Sequence, residues 1–494
     1  MNPLGTASLI RLSRSLSSLA ALLVGVITLA PQQAAAIPLF NRQTGQNCVA
    51  CHAGGQFPEL TPYGRLFKLT GYTIGERTLP VSAMVLLSYS KVADTSKSDD
   101  PGADFAKNGS LIFPTASLFL GGKVSDNVGA FAQITYDHYA TQSDTGEFHG
   151  HSNADNIDIR YADRFIDEQR DLIVGVSANN NPSISDPWNT AAAWMQYVPV
   201  PSPTSSRFID GSAPYPGFGS GGNIAGITAY VYWNRMIYAE LGGYQSAAGL
   251  FRLMRAGVAD ADATKLKGFN PYWRLAINRE WGPHSLMVGT SGMVARVYDD
   301  PLDTSDSAMT HRFTDLGVDA QYQYLLDPHS VTAQVAFTRS HVRYSDAQAG
   351  QTIDPAVVVD AQGNPLALTN DSDTSNVLRL KATYVYQAKY GGSLGFFNLT
   401  GTTNTANQSA AYDPATGAVT LVDPASSRVN ANLSGNPATR GVTAEAFWTP
   451  LQNVRVGAQY TAYLRFNGAT SNYDGLGRNA RDNNSLFLYV WAAY

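Results

Sequence analysis

The residues with the clearest chemistry lie near the N-terminus, in the string CVACH at residues 48–52. It holds both cysteines of the 494-residue chain. On one helical turn, Cys48 and Cys51 would present their thiols on the same side, and His52 follows directly. C-x-x-C-H is typical of covalent haem attachment, in which two thioethers hold the porphyrin and the histidine ligates the iron. The string predicts one haem c, with Cys48 and Cys51 as anchors and His52 as proximal ligand.

Other chemistries also use a C-x-x-C spacing. A disulfide or thioredoxin-like redox pair would be expected in a βαβ context, and a tetrahedral zinc site needs two more ligands close by. The sequence around the box supplies neither. Covalent haem is therefore the interpretation that the local sequence favours.

The first 36 residues have the layout of a secretory signal peptide. Arg11 and Arg14 precede an apolar run at residues 19–30, and alanines at 34–36 offer a cleavage site. The run is shorter than the roughly 20 residues of a spanning helix. Cleavage removes two of the 34 basic residues and leaves 32 against 39 acidic ones, a net charge of −7. This acidic balance argues against nucleic acid as a partner.

From residue 79 onward, apolar and polar residues alternate. Val331, Ala333, Val335 and Phe337 alternate with polar residues, and residues 454–462 repeat the pattern. A period of two predicts strands with one apolar and one polar face. Sixteen such strands can be counted between residues 79 and 494, and an even number is typical of bacterial outer-membrane barrels.

The connections between these strands alternate in length. Tight links such as SDN, WGP and LDP alternate with long ones at residues 93–109, 139–154, 179–223, 344–373 and 403–437. Outer-membrane barrels have short periplasmic turns and long extracellular loops. The sequence therefore predicts an all-β fold, a 16-stranded antiparallel barrel over residues 79–494, surrounded by lipid in the bacterial outer membrane. A soluble β-sandwich is the alternative.

Residues 37–78, which carry the haem box, are too few to bury a core of their own. Sixteen strands bring both chain ends to the periplasmic side, where the barrel lumen can supply the missing walls. Thr61 and Pro62 predict the start of a short helix that ends before Gly71. We expect this segment to form an α-helical haem plug.

The second axial ligand of the iron must come from the barrel, a loop or water, because the next histidine after His52 is His138. In the string VSAMVLLSY, the row that starts at Val81 faces lipid, so that Met84 points into the lumen. A methionine ligand would raise the reduction potential. The alternatives are a methionine that only fills space and the weaker candidates His138, His149, His151 and Met195.

The plug sequence resembles the fused cytochrome-porins of bacterial outer membranes, whose characterised members are iron-oxidising monohaem cytochromes. The resemblance rests on RQTG at 42–45, CVACH, Phe57-Pro58, Gly64-Arg65 and Gly71-Tyr72-Thr73. It implies electron transfer from extracellular donors, Fe(II) in characterised members, to periplasmic cytochromes. The alternatives are a solute porin with a structural or sensory haem, and a haem peroxidase.

Overall fold

The computed structural model describes most of the chain beyond the expected signal peptide, which lies outside the described residues. The described ranges are 38–55, 59–79, 81–94, 109–142, 148–190, 224–255, 265–344, 370–403, 410–413, 418–421, 432–475 and 477–494.

Eighteen β-strands lie within these ranges. In chain order, β1 to β18 are Val81–Val92, Ser110–Lys123, Val128–Gln142, Phe148–Ile166, Asp171–Asn179, Ile224–Trp233, Ile237–Ser246, Asn270–Trp281, His284–Tyr298, Thr310–Leu326, His329–Arg343, Ser372–Tyr386, Tyr390–Gly401, Ala410–Asp413, Ala418–Leu421, Thr439–Leu451, Val454–Arg465 and Ser485–Ala493. Sixteen of them form a closed antiparallel barrel, and β14 and β15 pair only with each other. The predicted all-β, 16-stranded barrel is confirmed.

The barrel is built almost entirely from neighbours in sequence. Each barrel strand pairs with the next barrel strand along the chain, so that β13 pairs with β16 across the β14–β15 hairpin, and β1 closes the ring against β18. At the closure, Met84 lies opposite Ala493 and Leu86 lies opposite Trp491. The alternation of side chains that the sequence predicts therefore sorts every strand into a lumen row and an outer row.

The outer face of the barrel is apolar. Outward side chains such as Leu241, Ile277 and Leu394 are each more than 60% exposed. Exposed aromatic residues lie next to the short turns, among them Trp233, Trp281 and Tyr390. Rings of this kind settle where the hydrocarbon layer meets water. A closed barrel with an apolar belt and an aromatic girdle is an outer-membrane barrel, and its short turns mark the periplasmic end.

Four short α-helices accompany the described strands: α1 is Pro38–Thr44, α2 is Cys48–Cys51, α3 is Pro62–Leu69 and α4 is Pro182–Ser185. Single 3₁₀ segments cover Ala53–Gly55, Gly249–Met254 and Ala480–Asn483. No helix in the described ranges is long and apolar enough to cross a membrane.

One predicted loop is largely strand. The sequence places residues 139–154 in a loop, yet β3 continues to Gln142 and β4 already begins at Phe148. The pairing of β3 with β4 shifts register twice, between Gln133 and Ile134 and between Asp137 and Thr141. Such bulges break the alternation of apolar and polar residues. The period-two pattern therefore stops before the strands do.

Candidate haem site

The attachment box forms a single helical turn at the periplasmic end of the barrel. The His52 amide donates to the Cys48 carbonyl at 2.8 Å, which closes α2. Cys48 is buried, Cys51 is half-buried, and neither forms a disulfide. His52 leaves the helix in an extended conformation and bridges to Leu60 on the returning chain. The turn thus brings two thiols and an imidazole to one place.

Helix α3 packs against this turn at very short range. Thr61 caps the helix, because its hydroxyl accepts from the Gly64 amide at 3.1 Å, and its own amide donates to the Cys51 carbonyl at 2.9 Å. A Cβ at position 64 would lie 2.1 Å from the Cys51 carbonyl oxygen. Only glycine allows this approach, so Gly64 sets the distance between α3 and the attachment box.

A cavity of about 530 Å³ opens beside the box, within the size range of ligand and cofactor sites. Cys48, Cys51, His52 and Met84 all line it. Apolar side chains form one part of its wall, and they include Phe40, Leu60, Phe67, Leu86, Phe119, Phe131 and Trp491. Polar side chains form another part, among them Thr115, Ser117, Gln133, Thr135, Asp155 and Asn156. The apolar ring of a porphyrin fits the apolar part of this lining, and Lys68, which also lines the cavity, offers a cation to an anionic propionate.

Burial sets the protonation of the box. It lowers the pKa of His52 to about 4, so that the imidazole is neutral at physiological pH. Burial, followed by the neighbouring Cys48, raises the pKa of Cys51 to about 11. A neutral imidazole can donate a nitrogen lone pair to iron. Within the described residues, no group of three or more His, Cys, Asp or Glu side chains could hold a metal ion.

Met84 lies on the lumen face of β1, as the row starting at Val81 predicts. Neighbouring Val81, Ala83 and Val85 are exposed on the outer face. The Trp491 indole N–H donates to the Met84 sulfur at 3.1 Å. The structure thus brings Met84 to the same cavity as the CVACH box, and its role as an iron ligand stays a prediction.

The weaker ligand candidates lie elsewhere. His138 is on β3, and His149 and His151 are on β4 rather than on an outer loop as the sequence suggests. None of the three belongs to the described lining of the cavity. Met195 lies outside the described residues.

The plug is tied to the barrel wall by buried polar contacts. Arg65 of α3 is fully buried and donates to the Gln323 side chain at 2.9 Å and to the Ser285 hydroxyl at 2.8 Å. Lys381, an inward-facing cation on β12, forms a 2.8 Å ion pair with Glu59 of the plug. These contacts hold the segment inside the lumen, where the sequence predicts it.

A second segment also enters the lumen, and sequence reasoning missed it. After β5 the chain turns inward through α4, and Asp186 pairs with Arg274 of β8 at 3.2 Å. Trp188 is fully buried between the guanidinium groups of Arg65 and Arg274, 6.0 and 5.8 Å from its ring centre. The sequence predicts only a long connection at 179–223, and the acid that pairs with Arg274 cannot be identified from it. The segment that turns inward after β5 therefore packs against the plug and helps to hold it in the lumen.

No family model matches the chain, and neither does any curated protein. Comparison with solved structures finds similarity to outer-membrane proteins. A loop-deletion mutant of OmpT, an outer-membrane protein of Vibrio cholerae, has 8% identity and a TM-score of 0.42 over 84% of this chain and 99% of its own. Salmonella typhi OmpF in complex with daunomycin has 9% identity and a TM-score of 0.42, over 84% and 97%. An anion-selective porin from Comamonas acidovorans has 8% identity and a TM-score of 0.41, over 84% and 98%.

Proposed function

We propose that this outer-membrane barrel carries one covalent haem c and passes single electrons from an extracellular donor to a periplasmic cytochrome. The observation that carries the proposal is the cavity lined together by Cys48, Cys51, His52 and Met84. The two cysteines would hold the porphyrin as thioethers. His52 would ligate the iron as the proximal ligand and Met84 as the distal one.

Haem, when bound, supplies a one-electron Fe(III)/Fe(II) couple. The chain supplies the surroundings that set the potential of that couple. Phe40, Phe67 and Phe131 pack around the cavity, with the ring centres of Phe40 and Phe67 4.9 Å apart. The apolar part of the cavity wall disfavours the extra positive charge of ferric iron, and a thioether ligand favours the ferrous form as well. Both effects raise the potential towards that of a weak reductant such as Fe(II).

The position of the box favours a periplasmic electron acceptor. The box lies at the short-turn end of the barrel, where the Cys48 sulfur approaches the Gln452 side chain at 3.9 Å. Val49, between the two cysteines, is 45% exposed. Thioether-linked haem at this place would have its nearest edge beside the periplasmic mouth. A soluble c-type cytochrome docking there takes one electron without any bond in the chain being made or broken.

Electron entry from outside can be tested on intact cells that express the full chain. Fe(II), and in a separate sample a bulky non-permeant reductant, are added while the absorption band of reduced haem c is followed. We expect the band to appear with both reductants. If only a membrane-permeant reductant produces it, electrons do not enter from the cell surface.

A double variant tests the attachment site. Cys48→Ala with Cys51→Ala removes both thioethers, and we expect complete loss of covalent haem in denaturing gels stained for haem. The barrel should still show the heat-dependent gel migration of a folded outer-membrane protein, because neither cysteine belongs to a strand. Covalent haem that persists in this variant would show that the box is not the anchor.

A further inference from the structure

Trp491 lies next to Met84 at the closure of the barrel. It is on β18, directly beside β1, and is 5% exposed. Its indole N–H donates to the Met84 sulfur at 3.1 Å. Both side chains line the cavity that also receives Cys48, Cys51 and His52.

This bond restricts a flexible side chain. Methionine has three rotatable bonds and an adaptable thioether, so an unrestrained sulfur samples many positions. The thioether has two lone pairs, and the indole N–H occupies one of them. The tryptophan ring cannot move away easily, because it packs in a cluster with Cys48, Leu86 and Phe487. The sulfur is thereby held at the cavity wall with one lone pair left for a second partner.

We infer that Trp491 is a positioning residue that orients the Met84 sulfur towards the haem iron and raises the reduction potential. The inference rests on the proposed function, with Met84 as distal ligand. A hydrogen bond to a ligating sulfur withdraws electron density from it. This weakens its donation to electron-poor ferric iron more than to ferrous iron, as outer hydrogen bonds do at other metal centres.

The test compares the haem-loaded full chain with its Trp491→Phe variant. Phenylalanine keeps an aromatic ring on β18 and removes the N–H. We expect the equilibrium constant for reduction by a redox dye of fixed potential to fall roughly threefold, the size of a modest neutral hydrogen bond. The far-red charge-transfer band of methionine-ligated ferric haem should weaken as well. Trp448→Phe, on the outer face of β16, is the matched control and should leave both readouts unchanged.

A double-variant cycle separates this effect from general damage to the fold. Met84→Leu removes the sulfur while keeping the volume of the side chain similar. In that background, Trp491→Phe should cause no further change in potential. If Trp491→Phe does not fold, as judged by heat-dependent gel migration, the benzothiophene analogue of tryptophan at position 491 keeps the bicyclic ring and replaces the N–H by a sulfur that cannot donate. It should give the same threefold fall.

The outcomes distinguish the inference from the proposed function. Absence of covalent haem in the unmodified chain overturns the proposed function itself. Covalent haem whose far-red band survives Met84→Leu overturns the inference but leaves the attachment site intact. An unchanged potential in both position-491 variants also overturns the inference, because the N–H would then have no influence on the iron.

Discussion

Lys68 is a buried plug residue whose protonation makes the docking of the plug depend on pH. It lies on α3 and donates to the Asp186 carbonyl at 3.0 Å. Burial, followed by the repulsion of Arg160, lowers its pKa from 10.5 to about 8. An undocked plug exposes this lysine to water and restores the ordinary pKa. The docked and undocked states therefore bind different numbers of protons between pH 8 and 10.5.

This difference predicts how plug docking depends on pH. The undocked state holds more protons in that window, so docking becomes more favourable as pH rises, by on the order of 1 to 3 kcal/mol. In the haem-free Cys48→Ala, Cys51→Ala variant, which lacks the opposing titration of the Cys51 thiol, we expect the plug to resist added protease better at pH 10 than at pH 8. Lys68→Met should abolish the slope, whereas Lys389→Met on an exposed turn should preserve it. A slope that survives Lys68→Met would assign the pH dependence to another group.

At the residue scale, the sequence predicts features that follow from the alternation of side chains along a strand, but not features that depend on contacts between distant parts of the chain. Met84 could be placed on the lumen face because side chains alternate strictly along a strand. Once the outward-facing residues of β1 are identified, the residues between them must face the lumen. The burial of Lys68 and its contact with Asp186 could not be predicted, because they depend on a loop that is 118 residues away in sequence. The partner of Met84 could not be predicted either, since Trp491 meets β1 only when the barrel closes.

At the scale of elements, the site depends on the contact between the two short helices α2 and α3. A prediction follows for Gly64, the glycine of α3 that lies against α2. On helix propensity alone, Gly64→Ala would stabilise α3 by about 1 kcal/mol. The added Cβ would lie 2.1 Å from the Cys51 carbonyl oxygen, however, and a backbone atom cannot yield as a flexible side chain can. We expect the substitution to push α3 away from the attachment box.

The measurement for Gly64→Ala is the fraction of folded barrel that carries covalent haem. We expect a severalfold loss relative to the unmodified chain at equal barrel yield. Gly45→Ala is a useful comparison, because nothing lies within 4 Å of a Cβ there and only the positive φ of 67° resists the substitution. Equal haem loading in the Gly64 variant and the unmodified chain would mean that the spacing of α2 and α3 tolerates change.

The elements themselves were largely predictable. Sixteen barrel strands could be counted from the sequence, and Thr61-Pro62 with Gly71 correctly bounds α3. The sequence did not predict the elements that depend on strand pairing or long-range packing rather than on a local pattern of residues. Bulges interrupt the period-two pattern of β3 and β4 before these strands end. The β14–β15 hairpin lies inside a predicted loop. Contacts with Arg274 and the plug, rather than a local sequence signal, stabilise α4.

At the scale of the whole molecule, two inserted segments distinguish this barrel from an open channel. The plug enters from the periplasmic end, and the segment after β5 packs against it through Trp188 and Asp186. A barrel of sixteen strands otherwise leaves an aqueous passage. A solute porin with a structural haem should conduct ions freely, whereas an electron carrier has no need of a water-filled lumen.

Single-channel recording in planar bilayers tests this distinction. We expect the full chain to conduct poorly and a variant without residues 38–78 to conduct several times better, because the lumen on the β1 side then empties. Arg65→Met should give intermediate, flickering conductance, since it leaves Gln323 and Ser285 without their plug contact. Arg279→Gln, on the outer face of β8, should behave like the unmodified chain. Porin-like conductance of the full haem-loaded chain would favour the solute porin, because a lumen open to ions cannot also be closed by the plug.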